Sequence, residues 1–190
     1  MPDPFVAGSP EPYSVPVVVL EYDPTWPGLF AADARAIRAS LGSTALAVDH
    51  VGSTSVPGLA AKPVIDVLLQ VPDSADEDAY VPALQLLGYG LRIREPGWIE
   101  HRVLSQRVDE GAPHSVNVHV LSPGLGDAEI ARMLVFRDWL RSHVEDRERY
   151  AAVKRELADR RWRHVQDYAD AKTEVVDDIL ARAGAPLAAQ

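Results

Sequence analysis

The sequence contains no cysteine. This absence excludes disulfide bonds, thiolate zinc sites and a cysteine nucleophile, and it leaves His, Asp and Glu as the only strong metal ligands. An uninterrupted apolar stretch of about 18 residues, which a membrane-spanning helix needs, is also missing. No charged segment followed by an apolar one opens the chain, so we expect no signal peptide, no membrane partner and a cytoplasmic location.

Basic residues are in the minority. The chain has 19 Lys and Arg residues but 28 Asp and Glu residues, which gives a net charge of -9. Such a field repels phosphate backbones, so we expect no long nucleic acid as a partner. A small nucleotide held by local dipoles remains compatible with this charge. With 190 residues and 47% hydrophobic content, the chain has the size and composition of one domain with its own core.

The ends of the chain differ in composition from its middle. Residues 1–16 are rich in proline, glycine and serine, which predicts a flexible lead-in. Residues 17–184 are predicted to form a single domain, and residues 185–190 a flexible tail.

Apolar patterns predict a sheet followed by a helical layer. Helical spacing covers residues 29–41 and 76–87, a short turn at 59–62, and the chain from Asp127 onward. Strands are predicted at 17–21, 45–51, 64–71, 89–94, 99–107 and 115–121, the last three as antiparallel additions to the sheet. The run 64–71 is apolar on both faces, which is typical of a central strand. The predicted fold class is α/β (α+β), with a C-terminal helical layer.

The segment from His50 to Val67 carries the residues expected of a binding site. Gly52 and Ser53 end a strand, where glycine lets the backbone approach a ligand and successive N–H groups form an anion site. Ser53 and Thr54 add hydroxyl donors. Asp66 emerges from the most apolar run of the chain, so its carboxylate needs a partner, either Mg²⁺ or a buried Lys or His.

Lys62 precedes the strand that carries Asp66. It could reach a phosphate or pair with a carboxylate, although an exposed loop lysine fits its position equally well. The segment is not a P-loop, since Leu-Ala-Ala separates Gly58 from Lys62. It is not a nucleophile elbow either, because Gly-x-Ser-x-Gly is absent.

These residues resemble the signature of the GrpB family. The matching motifs are His50-Val51-Gly52-Ser53-Thr54, Val56-Pro57-Gly58-Leu59, Lys62-Pro63 and Ile65-Asp66. Further matches are Tyr22-Asp23-Pro24-x-Trp26, His119-Val120, Phe136-Arg137-Asp138-x-Leu140 and Tyr150-x-x-x-Lys154. The resemblance implies a nucleotidyltransferase-like mixed sheet flanked by helices, in which the Gly-Ser loop holds nucleotide phosphates and strand carboxylates hold a divalent metal such as Mg²⁺, Mn²⁺ or Zn²⁺.

Working members of that superfamily usually carry a second carboxylate two residues after the first, where this chain has Leu68. His50, Asn117 and His119 could compensate, because strand alternation places Asn117 and His119 on one face. A site of His50, Asp66 and His119 would suit Mn²⁺, Zn²⁺ or Fe²⁺ better than Mg²⁺. The alternative is structural: a hydrogen-bonded, half-buried His119 and a His50 that braces the loop.

Two functions follow from these residues. The first is metal-dependent nucleotidyl or phosphoryl transfer to an unknown acceptor, with Asp66 as the catalytic metal carboxylate. The second is a catalytically degenerate module that binds a nucleotide, another small phosphorylated molecule or a partner in an accessory role. The missing carboxylate favours the second, as does the occurrence of GrpB-like domains joined to dephospho-CoA kinase. A pair between Asp66 and Lys62 would exclude the metal.

Four other side chains are weaker candidates for a phosphate-binding mouth. They are Arg92, Arg94, Arg107 and His114, and most such residues are solvated strand edges. The aromatic residues of the helices are expected to be core residues rather than ligand platforms.

Overall fold

The computed structural model describes residues 5–6, 17–160, 162 and 165–186. Five strands and six α-helices lie within them. The strands are β1 (Ala47–Val51), β2 (Val64–Gln70), β3 (Gly90–Glu95), β4 (His101–Gln106) and β5 (Ser115–Leu121). The helices are α1 (Trp26–Leu41), α2 (Val81–Leu86), α3 (Asp127–Ser142), α4 (Val144–Ala158), α5 (Val165–Asp170) and α6 (Thr173–Arg182).

The strands form one mixed sheet in the order β1-β2-β5-β4-β3. As predicted, β2 is internal, between β1 and β5. The prediction that β5 is an antiparallel addition is wrong for its pairing with β2, which is parallel, although β5 and β4 are antiparallel. The chain crosses from β2 through α2, β3 and β4 before it enters the sheet beside β2, and sequence pattern does not encode that return. The predicted fold class, a mixed α+β sheet with a C-terminal helical layer, is confirmed.

The two faces of the sheet are covered by different helices. We call the side of β2 that carries Ile65, Val67 and Leu69 the α1 face, because these side chains share a buried cluster with residues of α1 and α2. The opposite side, which carries Asp66 and Leu68, is the site face. Alternation along a strand sends successive side chains to opposite faces, so Asp66 lies on a different side from its apolar neighbours.

Three predicted elements differ in the structure. Residues 17–21 make only an isolated antiparallel bridge, between Leu20 and Ala61. Its backbone hydrogen bonds hold residue 61 extended, so the predicted helical turn at 59–62 is wrong. The predicted helix 76–87 is a 3-10 turn at Glu77–Ala79 followed by α2, which begins at Val81 because Pro82 is tolerated only in a first turn.

The ends of the chain are described only in part. Of the predicted lead-in, residues 1–16, the structure describes Phe5 and Val6, and Phe5 bridges Ile93 of β3. The other residues of the lead-in, and the predicted tail beyond residue 186, lie outside the described residues. Within the described ranges, no helix is both long and apolar enough to cross a membrane.

Candidate functional site

The loop after β1 passes directly over Asp66. Gly52 has φ 67° and ψ -174°, a combination essentially restricted to glycine. A Cβ at this position would lie 2.3 Å from Oδ2 of Asp66, so both the backbone conformation and the close approach require glycine. Ser53–Ser55 then forms a 3-10 turn, and Oγ of Ser55 donates a hydrogen bond to the Gly52 carbonyl at 2.6 Å. The Gly-Ser loop therefore lies directly beside the carboxylate.

Asp66 lies between two side chains of β5. Nδ2 of Asn117 donates to its Oδ1 at 2.8 Å, and Nε2 of His119 lies 3.8 Å from the same oxygen. Burial raises the pKa of Asp66, but the neighbouring His119 and Asn117 and the charge of Lys172 outweigh that effect and lower the pKa below its ordinary value. Asp66, whose side chain is 27% exposed, is therefore an ionised carboxylate. Its direct partners are Asn117 and His119 rather than Lys62.

His50 lies on the opposite side of the sheet. The β1–β2 register pairs Val51 with Asp66, so the preceding residue, His50, points to the α1 face. Its ring stacks on Phe30, with centroids 4.6 Å apart. Since the Thr54 hydroxyl donates to the carbonyl of Val64, Nε2 of His50 donates to Thr54 Oγ1, at 3.1 Å. The structure thus brings Asp66 and His119 together but not His50, whose placement supports the loop-bracing alternative.

Burial dominates the electrostatics of His50. It lowers the pKa of the imidazole to about 4, so the ring is neutral at physiological pH. A neutral ring that donates to Thr54 supports the loop without adding charge to the site.

A cavity of about 400 Å³ lies beside the site face, bounded also by residues of α3, α4, α5 and the α5–α6 turn. Its lining includes the Gly52–Thr54 loop, Asp66, Asn117 and His119. Four basic side chains also line it: Lys62, Arg107, Lys154 and Lys172. The chain has only three lysines, and all of them are in this set. In a chain with a net charge of -9, this cavity thus brings together four of the 19 basic residues.

Lys154 of α4 is a deeply buried cation, with 2% of its surface exposed. Its Nζ donates to Oγ of Ser53 at 3.0 Å and to the carbonyl of Ala60, and it lies 4.5 Å from the centre of the Tyr150 ring. Burial, followed by the charges of Lys172 and Arg155, lowers its pKa to about 7. All these contacts are neutral, so an incoming anion would be the first negative group to pair with it.

The other three cations of the cavity surround the carboxylate of Asp66. Nη2 of Arg107 donates to Oδ1 of Asn117 at 2.7 Å, which completes a chain from Arg107 through Asn117 to Asp66. Burial and the charge of Arg107 lower the pKa of Lys62, and burial also lowers the pKa of Lys172, whose ammonium lies over the Tyr168 ring. Four cations and one carboxylate leave the cavity with an excess of positive charge.

Side chains of the helical layer hold the loop in place. Arg137 donates to the carbonyl of His50 at 3.1 Å, and Arg141 donates to that of Ser55 at 2.8 Å. Sequence reasoning gave no role to Arg141, Lys154 or Lys172. The available signal was the scarcity of lysine: three residues far apart in the sequence are the only ones of their type.

Of the weaker candidates, only Arg107 lines the cavity. Arg92 pairs with Glu110, Arg94 pairs with Glu77 at 2.7 Å, and His114 contacts Asp33 at 2.7 Å. Glu129 of α3 was not predicted: it is 5% exposed, its Oε1 accepts from Arg132, and its Oε2 has no hydrogen-bond partner in the described structure. Burial raises the pKa of Glu129.

Comparison with known proteins agrees with this architecture. The sequence model of the GrpB protein family matches residues 16–182, and the chain belongs to that family. The resemblance predicted from the motifs is thereby confirmed.

The chain matches some relatives over most of their length and others over only part of a longer protein. The chain is 56% identical to the UPF0157 protein BH1888 of Halalkalibacterium halodurans, over 94% of this chain and 88% of the relative. It is similar to the crystal structure of the conserved protein GrpB from Enterococcus faecalis, with 31% identity, a TM-score of 0.74 and coverage of 87% of this chain and 96% of that chain. It is also 31% identical to a dephospho-CoA kinase of Mycolicibacterium paratuberculosis, over 88% of this chain but 46% of that protein.

Proposed function

We propose that the protein binds a nucleotide or another small phosphorylated molecule in the cavity beside the site face. The observation that supports this most strongly is that all three lysines and Arg107 line the same cavity as the Gly52–Thr54 loop. Buried cations of like charge repel one another, and a phosphate group would relieve that repulsion while accepting their hydrogen bonds. Each hydrogen bond to a charged group contributes about 1.5–3 kcal/mol, so several together suffice for micromolar affinity.

The size of the cavity favours a small ligand. A volume of about 400 Å³ is within the range of small-molecule sites. The cavity has an excess of positive charge, whereas the chain as a whole carries a net charge of -9, so long nucleic acid would be repelled outside it. A nucleotide would place its phosphates at the loop, with the lysines around them.

A divalent metal would enter this site together with the ligand. Among the residues that the structure describes, no group of three or more His, Asp or Glu side chains is arranged to hold a metal ion. Asp66 and His119 alone supply two donors. Mg²⁺ is commonly held by one or two carboxylates together with substrate phosphates, and Asp66 fits that mode. The metal would neutralise phosphate charge, whereas the protein's own residues bind and orient the phosphates.

The position of the missing second carboxylate supports binding over two-metal transfer. Leu68 is fully buried and packs with Val51, Leu121 and Ile130, so it is part of the hydrophobic core beneath α3. One carboxylate cannot hold the two metals that clamp attacking and leaving oxygens. We therefore favour a nucleotide-binding module over a standard nucleotidyl- or phosphoryl-transferase.

A second candidate is an accessory role beside an enzyme. The relative named dephospho-CoA kinase contains a region similar to this chain within less than half of its length. In that setting the module would bind the same class of phosphorylated molecule without turning it over.

Calorimetric titration of ATP, with EDTA or with Mg²⁺, tests the proposal. We expect wild-type protein to bind ATP in EDTA through its cations and to bind it more tightly with Mg²⁺. Asp66→Ala should lose the Mg²⁺ enhancement and keep binding in EDTA, since it removes a carboxylate and no cation. Asp78→Ala is the control, because Asp78 is an exposed carboxylate outside the cavity lining.

Inorganic triphosphate is the companion probe. Affinity equal to that of ATP would mean that the cavity recognises phosphate alone, and tighter ATP binding would support a nucleotide. If neither ATP nor inorganic triphosphate binds, the proposal is wrong.

A further inference from the structure

Two of the three lysines of the cavity follow a tyrosine at the same spacing. Tyr150 precedes Lys154 by four residues, and Tyr168 precedes Lys172 by four residues. Residues four apart lie on the same side of a helix, so the tyrosine and the lysine of each pair can touch. In the structure, each ammonium nitrogen lies 4.5 Å from the centre of its tyrosine ring. The phosphate-binding proposal gives these two rings no role.

A second aromatic ring fixes each tyrosine. Phe136 of α3 meets Tyr150 edge-on, with ring centroids 5.4 Å apart, and Trp162 meets Tyr168 in the same manner at 6.2 Å. Both tyrosines are buried. Edge-to-face packing of this kind restricts the orientation of a ring. The face that each tyrosine presents to its lysine is therefore fixed before any ligand arrives.

The partner of a buried cation decides how much of its charge remains available. Arg102 is also buried, and it forms ion pairs with Glu77 and Glu100, whose carboxylates offset its charge. Among the residues that the structure describes, no carboxylate forms such an ion pair with Lys154 or Lys172. An aromatic face attracts a cation through its quadrupole but carries no net charge. Each tyrosine ring therefore holds an ammonium group and leaves its charge for an anion.

We propose that Tyr150 and Tyr168 are positioning residues whose ring faces hold Lys154 and Lys172 in place for a phosphorylated ligand. The inference rests on the proposed function, because phosphate is the anion that these lysines would meet. The face of each ring, rather than its hydroxyl, provides the attraction. Lys62 is the internal reference, since the residue four positions before it is a glycine and supplies no ring.

The first test detects the ring contacts in the ligand-free protein. Lysine labelled with carbon-13 at Cε gives one NMR signal for each of the three lysines, and protons that lie over an aromatic face shift upfield. We expect larger upfield shifts for Lys154 and Lys172 than for Lys62. Tyr150→Leu should abolish the shift of Lys154 alone, and Tyr168→Leu that of Lys172 alone. Phenylalanine at either position should preserve the shift, because it retains the ring.

The second test measures the affinity for inorganic triphosphate by calorimetry in EDTA. Each leucine variant should bind triphosphate about 3–30-fold more weakly than the phenylalanine variant at the same position, because the leucine side chain has no ring face to hold the ammonium group. Tyr89→Leu is the matched control, since it removes a buried tyrosine of the α1 face. It should leave the lysine signals and the affinity of the folded protein for triphosphate unchanged.

Fluorinated phenylalanine at position 150 or 168 separates the electrostatic effect of the ring from its packing. Fluorine withdraws negative charge from the ring face and changes the shape of the ring little, so the fold is retained. The affinity for triphosphate should fall stepwise as fluorine atoms are added, whereas a role in packing alone would leave it constant. Unfluorinated phenylalanine is the reference for this series, because the hydroxyl of Tyr150 lies beside Ser53.

Two results would overturn the inference: Lys154 and Lys172 signals without an upfield shift in wild-type protein, or an affinity for triphosphate that stays constant along the fluorinated series. Failure of the proposed function has a different signature. In that case wild-type protein would bind neither ATP nor triphosphate, even though the lysine signals are shifted.

Discussion

The two faces of β2 differ in what their buried groups contribute. On the α1 face, Ile65, Val67 and Leu69 are within 1% of complete burial and pack against helices. On the site face, Asp66 lies among three lysines and an arginine beside a cavity. The first face gains stability from burying apolar surface, by about 1.5–3 kcal/mol for each large side chain. The second places like charges together at a cost to stability, which is typical of a surface shaped for a ligand.

Replacement of Gly52 by alanine tests how tightly the loop is tied to the site face, and it should have the largest effect. Gly42 is the matched control, because it also has a positive φ, but a Cβ there would meet nothing within 4 Å. We expect Gly42→Ala to lower the free energy of unfolding by about 1–3 kcal/mol through backbone strain alone. Gly52→Ala should lower it further and abolish ATP binding, as measured by urea denaturation and calorimetry.

Equal destabilisation by the two alanines, with ATP binding retained in both, would mean that the contact between Gly52 and Asp66 does not shape the site.

Lys154→Met contrasts the two faces directly. Loss of this cation should weaken ATP binding about 10–100-fold, since it removes a charged hydrogen-bond donor. Leu69→Ala, on the α1 face, should do the reverse: it should lower the free energy of unfolding by about 2–5 kcal/mol and leave the affinity of the folded protein for ATP unchanged. Calorimetry and urea denaturation of both variants check the contrast. Weaker ATP binding in Leu69→Ala than in Lys154→Met would reverse the roles assigned to the faces.

The pH dependence of Lys154→Met has a definite sign. Burial lowers the pKa of Lys154 to about 7 in the folded protein, below its value in the unfolded chain. The unfolded chain therefore binds more protons between about pH 7 and about pH 10, and the contribution of Lys154 to stability falls as the pH falls through that window. The stability of Lys154→Met relative to wild type should be greatest at or below about pH 7 and should diminish toward about pH 9.

Local pattern predicted much of the site, and long-range register determined the rest. Strand alternation correctly placed Asn117 and His119 on one face, and the motif placed Gly52 beside Asp66. Alternation within one strand could not show whether His50 belongs to the same site, because His50 and Asp66 lie on different strands. Only the β1–β2 register shows that their side chains point to opposite faces of the sheet. Lys154 appeared in the sequence only as part of a motif without an assigned role, and Lys172 was not singled out, since the sequence does not specify which side of a helix or turn faces the cavity.

The fold was predictable to a similar degree. The strand at 115–121 was predicted with its observed bounds, since its polar and apolar residues alternate between two flanking turns. Its parallel pairing with β2 depends on a crossover of more than forty residues, from Gln70 to Ser115, and no local pattern records it.

Glu129→Gln should have the smallest effect and sharpens the comparison at the edge of the site face. Burial raises the pKa of Glu129, and one of its carboxylate oxygens lacks a partner within the described residues. A folded pKa above the unfolded value means that stability present at low pH is lost as the pH rises through the folded pKa. The glutamine keeps an acceptor for Arg132 without the buried charge, so we expect it to be about 1 kcal/mol more stable than wild type near pH 7. Urea denaturation should show that this gain disappears near pH 4, where wild-type Glu129 is protonated. A gain of equal size at both pH values would mean that packing, rather than buried charge, distinguishes glutamate from glutamine at this position.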